Sequence, residues 1–156
     1  MTLEEKLKSV LETYGDGFVQ KLRDKLEQIV KPPATGDGAR SLRSEVDGSA
    51  LNITGLAYLS ALDTGTRGYR NFPSPINIER WVRAKGIKSS EGLTIKQLSF
   101  AISRGIADRG TRPTDFLDIV FREDRGRLES MLLDGITEHI DTVITKPFAE
   151  QTQRNR

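Results

Sequence analysis

The stretch GLAYLSALDTGTRG, Gly55 to Gly68, changes character partway along. Leu56, Leu59 and Leu62 recur at helical spacing, and Asp63-Thr64-Gly65-Thr66 then interrupts the pattern with turn-forming residues. The spacing predicts a short helix that stops at this cluster and releases Arg67 and Tyr69 into a loop. What flanks the stretch decides the fold class. A hairpin pattern leads into it and two capped helical patterns follow, which places the chain in the α+β class: a small antiparallel sheet (one hairpin) flanked by helices.

Upstream, Leu42, Ser44 and Val46 alternate with Arg43 and Glu45, while Leu51 and Ile53 alternate with Asn52 and Thr54. Period-two patterning around Asp47-Gly48 predicts two short strands joined by a tight turn, because that dipeptide accepts positive φ angles. Ahead of them, Ala34 to Gly38 reads as a loop. The chain begins with a helix predicted from about Leu3 to Val30. Thr2 and Glu5 form a capping box at its start, and Leu3, Leu7, Val10, Leu11, Tyr14, Phe18, Leu22, Leu26 and Ile29 give it one apolar stripe. Gly15 and Gly17 are the places where it would kink, and Lys31-Pro32-Pro33 ends it. Unbroken, such a helix is about 40 Å long, long enough to pack along a neighbour as well as along its own domain.

Downstream, the Thr66–Pro75 segment is dense in Gly, Arg, Tyr and Pro, and reads as irregular and partly exposed. Asn77 is placed to cap a short helix that turns Ile78, Trp81 and Val82 inward and ends at Gly86, with Ile87 as the apolar contact beyond it. Thr94 and Gln97 form a second capping box. They open a helix with Ile95, Leu98, Ala101, Ile102 and Ile106 inward, closing at Gly110. Asp115 to Arg122 fits a helix or a short strand equally. A last helix is predicted from about Arg125 to Ile144, with Leu128, Leu132, Ile136, Ile140, Val143 and Ile144 as its stripe, and Lys146-Pro147 stops it. One domain over residues 1–149 and a polar flexible tail over residues 150–156 complete the organisation.

Composition narrows the function classes. The chain has 156 residues, 36% hydrophobic and 29% charged, which suits a soluble domain with a modest core. Twenty-four basic residues against 22 acidic leave a net charge of +2, too small for a dominant nucleic-acid footprint. There is no cysteine, so disulfides and thiolate metal sites are excluded. No apolar run reaches the roughly 18 residues a bilayer span needs, and the charged start MTLEEKLK does not resemble a secretory leader. The expectation is a protein made in the cytoplasm that crosses no membrane and contacts none.

No catalytic constellation emerges. The one histidine, His139, has no second histidine with which to build a dyad or a metal site. Asp115, Asp118, Glu123 and Asp124 alternate with Arg122, Arg125 and Arg127, the pattern of a solvated charged face rather than of converging Mg²⁺ ligands. Asp63-Thr64-Gly65-Thr66 lacks the pattern of a phosphate-binding loop, and no serine sits in a nucleophile elbow. The expectation is a non-enzyme with no catalytic residue, cofactor or metal. The informative surface is the loop carrying Arg67, Tyr69, Arg70 and Phe72. Arginine and aromatic rings stack on bases, and they also anchor protein interfaces. These four residues are the candidate partner interface, and a small nucleic-acid-binding module using loop 67–72 is the alternative reading.

Three segments in this order, Gly36 to Val46 (with RSLRSEV), Tyr58 to Thr66 (with LSALDTGT) and Trp81 to Phe116, carry a resemblance. The W-x-x-x-KG helix followed by AI-x-RGIA-x-RGT is its most specific part. The arrangement resembles the tail-completion and head-to-tail joining (neck) proteins of tailed bacteriophages. The resemblance implies a structural virion protein, made in the host cytoplasm and located in the neck or tail. It further implies a homo-oligomeric ring that contacts neighbouring portal, neck and tail proteins and touches the genomic DNA at most transiently, with no catalytic residues to carry over. Mixed charge suits the heterologous contacts of a ring, and a conduit for DNA must not hold it tightly.

Overall fold

The structure, a computed structural model, describes residues 1–30, 36–68 and 72–145. In chain order the elements are α1 (Leu3–Ile29), α2 (Asp37–Ser41), β1 (Arg43–Asp47), β2 (Ala50–Thr54), α3 (Tyr58–Thr64), β3 (Thr66–Arg67), α4 (Pro75–Lys85), α5 (Ile95–Arg109), β4 (Gly110–Thr111) and α6 (Phe116–Ile140). A short π-helical stretch, Asp141–Thr145, follows α6. The strands form two separate antiparallel pairs, β1 with β2 and β3 with β4. The class is α+β, with a long first helix and little sheet. The chain divides into two compact units, one of Met1–Lys21, Arg43–Thr54 and the described residues from Asp118 onward, the other of Leu22–Leu42 and Gly55–Leu117. The predicted tail, residues 150–156, lies outside the described residues.

In the first unit, the predicted capping box opens α1. The Thr2 amide donates to Glu5 Oε2 at 2.7 Å, and the Glu5 amide donates to Thr2 Oγ1 at 3.2 Å. Leu11, Tyr14, Phe18 and Val19 are its buried residues here. Gly15 and Gly17 do not break the helix. A Cβ on Gly15 would lie 2.7 Å from Leu51 Cδ1, and one on Gly17 would lie 2.7 Å from the Arg127 guanidinium. Both glycines therefore mark close approaches, to the hairpin and to α6, rather than weak points in the helix. The hairpin pairs Arg43 with Thr54 through to Asp47 with Ala50. Its two-residue turn is Gly48-Ser49, one residue later than the sequence pattern placed it, and Gly48 takes the positive φ of 58°.

The long helix α6 corrects the sequence reading. No boundary falls near Arg125: one helix runs from Phe116 to Ile140, and the ambiguous segment from Asp115 to Arg122 is mostly its first turns. The expected stripe is not a core stripe either. Leu128, Leu132 and Ile136 are half-buried, while Ile140 and Val143 are exposed. The buried face instead passes through Val120, Asp124 and Gly135, where a Cβ would meet Val10 at 3.0 Å.

In the second unit, Ala34 and Thr35 lie outside the described residues. Asp37 and Gly38, expected in a loop, begin the short helix α2. Arg23 of α1 donates to the carbonyls of Ala39 at 3.1 Å and Leu42 at 2.9 Å, which satisfies acceptors at the end of that short helix. The Gly55–Gly68 stretch yields α3, with Leu59 buried, Leu62 half-buried and Leu56 outside the helix and exposed. It stops at the predicted cluster, but Thr66 and Arg67 do not enter a loop. They form β3, pairing Thr66 with Thr111 and Arg67 with Gly110. Gly110 has φ 76°, and a Cβ there would run into the Thr66 carbonyl oxygen, so only glycine fits this crossing.

The α4–α5 pair follows local chemistry closely at its ends. Ser74, not Asn77, is the N-cap of α4, with Pro75 in the first turn. Gly86 ends it at φ 63°, with its own amide bonded to the Arg83 carbonyl and the Ile87 amide to the Val82 carbonyl. The Thr94–Gln97 capping box is present in full. The inward faces differ from expectation. Val82 is buried as expected, but so are Ser99 and Ser103, which the pattern did not place inward, whereas Ala101 is exposed and Trp81 is 38% exposed.

A candidate interaction surface: the apolar cleft of the second unit

Five helical segments of the second unit enclose a cleft of about 880 Å³. Ile78 and Trp81, spaced i, i+3, project into it from α4; Ile102 and Ile106, spaced i, i+4, project from α5. Tyr58 and Leu62 of α3 and the last turns of α1 close other sides. These side chains are in contact with the cleft rather than with a filled core, which is why they remain partly open: Ile102, Ile106 and Leu62 are half-buried, and Tyr58 is 53% exposed.

Polar groups sit at the margin. Asp37 accepts from Arg40 Nη2 at 2.5 Å. The Tyr58 hydroxyl lies over Gly38, where an added Cβ would collide with it. Burial, then the Asp37 carboxylate, raises the Tyr58 pKa above its ordinary value, and a hydrogen bond to the Gly38 backbone partly offsets this. Lys85 sits 5.4 Å from the Trp81 ring centroid, a cation–π contact at the cleft's edge. Arg80 and Arg112, also on the lining, make no ion pair among the described residues, and neither does Glu27. Among the described residues no nucleophile and base meet here. The cleft can exclude water from an apolar partner, at about 1.5–3 kcal/mol for each large aliphatic side chain fully covered.

Of the four residues singled out from sequence, the structure places Arg67 and Phe72. Arg67 is exposed within β3. Tyr69 and Arg70 lie outside the described residues. Phe72 is 48% exposed, with its ring centroid 5.8 Å from that of Phe100, itself 52% exposed. The pair forms a small aromatic patch on the second unit. Nothing local announced this pairing, since the two rings come from separate elements.

The acidic residues near α6 also separate. Asp118 pairs with Arg122 on the surface. Asp124 is 2% exposed, receiving the Lys21 ammonium and an Arg127 guanidinium that donates to both oxygens at 3.2–3.3 Å. Burial alone would raise the Asp124 carboxyl; the two cations outweigh it and hold the pKa below its usual value. Tyr14 stacks on Phe18 at 5.6 Å, and its ring lies 5.1 Å from the Arg127 guanidinium. Its buried hydroxyl has no hydrogen-bond partner by geometry. Burial, followed by the neighbouring Asp124 charge, pushes its pKa up to about 12. This cluster is a structural clamp of the first unit. Among the described residues no acidic or histidine cluster is arranged to hold a metal ion, and no helix is long and apolar enough to cross a membrane.

Compared with known proteins, the chain matches no family model, no curated protein and no solved structure.

Proposed function

We propose that the chain is a ring-forming structural subunit of a tailed-bacteriophage virion. Its place is the neck or tail-completion region, joining the portal side of the head to the tail around the DNA conduit. One observation carries this reading. The segments with the neck-protein resemblance supply Asp37, Tyr58, Trp81, Ile102 and Ile106 to the wall of an open apolar cleft, not to a catalytic constellation. Such a surface serves assembly: it gains stability only when a partner covers it. Native mass spectrometry and electron microscopy of the purified chain, alone and with portal-proximal and tail proteins, test the reading. The expected result is a closed ring or a stoichiometric complex. A monomer that binds none of these components overturns it.

The nucleic-acid-binding alternative has one observation in its favour: residues 80–112 hold eight basic and two acidic side chains. Against loop 67–72 as the contact, Phe72 already packs on Phe100. That alternative requires DNA affinity that falls steeply with salt; absence of binding at low salt removes it.

A further inference from the structure

The cleft has a counterpart elsewhere in the chain. On the C-terminal third of α6, Leu133, Ile136 and Ile140 follow the i, i+3, i+7 spacing by which an amphipathic helix enters a groove. Val143 continues the apolar run within the π-helical stretch. Leu133 is 65% exposed, Ile140 45% and Val143 53%. Gly135, on another side of the helix, is the residue that approaches α1.

Charge distinguishes the two surfaces further. Residues 129–145 contain Glu129, Asp134, Glu138 and Asp141 and no lysine or arginine. Glu138 pairs with Lys6, and Glu129 lies 4.0 Å from Arg125; Asp134 and Asp141 make no ion pair among the described residues. The cleft lining carries Arg80 and Arg112, similarly free of ion pairs among the described residues, against Glu27 and Asp37, and Lys85 over Trp81 and Arg40 on Asp37 add positive charge at its margin. A chain whose net charge is only +2 thus separates an acidic apolar helix end from an apolar cleft whose margin is net positive.

We infer that the cleft of one copy receives the Leu133–Val143 stripe of a second copy, and that this is the contact that propagates the ring. The inference rests on the ring reading above and names its interface. The contact is heterologous: cleft meets helix, leaving a free cleft at one end and a free helix at the other, so repetition closes a ring or extends a filament. A small apolar ligand fits less well. Small-molecule sites carry a few convergent polar groups that fix orientation, whereas here Arg80 and Arg112 are exposed and Asp37 is engaged with Arg40.

Trp81, the only tryptophan, lines the cleft, so its fluorescence reports occupancy. Native mass spectrometry and Trp81 emission are measured against concentration for the wild type, for Leu133→Asp with Ile140→Asp, and for Arg80→Glu with Arg112→Glu. All substituted side chains are exposed, and circular dichroism checks that the helices persist. The wild type is expected to assemble with a blue shift of emission. Each double variant is expected to need on the order of 100-fold higher concentration. Mixing the two variants should give a dimer that goes no further, because each retains the half the other lacks. Three results overturn the inference alone while the ring reading stands: both variants assembling like the wild type, variants that fail to complement in the mixture, or a blue shift that is independent of concentration in a wild type that still assembles. A wild type that stays monomeric at every concentration, and binds no portal-proximal or tail component, overturns the ring reading and the inference together.

Discussion

The two units differ in how far they cover their aromatic side chains. In the first, Phe18 stacks on Tyr14 and meets the exposed Phe121 edge to face at 6.4 Å, beside a buried carboxylate held by two cations. In the second, Leu22, Val82, Phe116, Ser99 and Ser103 are the most completely buried, while Trp81, Tyr58 and Phe100 stay open. Ring contacts of the first kind are worth about 0.5–1.5 kcal/mol each beyond their buried area and commit the residue to stability. An open tryptophan contributes little to the fold and keeps its apolar area for something else. The difference teaches that the Tyr14–Phe18 cluster is committed to folding, whereas the open rings of the second unit, like the exposed Leu133–Val143 face of the first, are not.

The comparison breaks most directly at Asp124. Lys21→Met combined with Arg127→Met leaves the carboxylate buried and unpaired, and should cost about 3–5 kcal/mol by urea denaturation. The sign of the pH dependence should change with it. With both cations present the Asp124 pKa is lowered, so their contribution holds above the unfolded value of about 3.9 and fades as pH falls through the lower folded value. Without them burial dominates and raises the pKa, so protonation should relieve the double variant as pH drops. A double variant as stable as the wild type at neutral pH would show that the clamp is incidental.

A smaller effect lies at the alkaline end. Unfolded tyrosine ionises near pH 10, and Tyr14 resists until about 12. Between those values the unfolded state loses a proton that the folded state keeps, so stability falls with rising pH, by on the order of 2–3 kcal/mol. Tyr14→Phe removes a hydroxyl with no partner. It should change neutral-pH stability by no more than about 1 kcal/mol and flatten the alkaline limb of a Tm-against-pH profile. An unchanged limb would assign that loss to other groups.

The smallest expected change in stability comes from the second unit. Trp81→Ala should shift Tm by less than about 4 °C, consistent with a partly exposed side chain, while sharply weakening self-association measured by native mass spectrometry. A Trp81→Ala protein that loses stability as a core variant does would erase the contrast between the units.

Features closed by neighbours in sequence were legible in advance. The two capping boxes and the Gly86 terminus are made of hydrogen bonds between residues three to five apart, and the residues at those spacings announce them. The hairpin was legible for the same reason. The continuity of α6 was not, because its start is set from afar. Thr114 bonds to the Leu62 carbonyl, Asp63 accepts the Leu117 amide at 3.0 Å, and Asp115 takes a positive φ of 51°. The cleft was hidden for a different reason. Ile78, Trp81, Ile102 and Ile106 have the periodicity of a core face, and periodicity cannot tell a surface covered by its own chain from one left open. The β3–β4 pairing joins Thr66 to Thr111 and Arg67 to Gly110, distant in sequence and only two positions on each strand, too short to leave an alternating pattern.

That last pairing has a topological consequence. The chain between Thr66 and Thr111 leaves and returns through the same two-residue ladder, with the hydroxyls of Thr66 and Thr111 meeting at 3.0 Å across it. The helices α4 and α5 thus lie on an excursion whose two ends meet at this clasp. Closing so long a loop carries an entropic cost that depends only weakly on its length. The excursion can therefore lengthen, shorten or be exchanged at Lys88 to Gly92, far from the clasp, with little penalty to the ladder. Sequence change in that arm can remodel one wall of the cleft without rewriting the chain that anchors it.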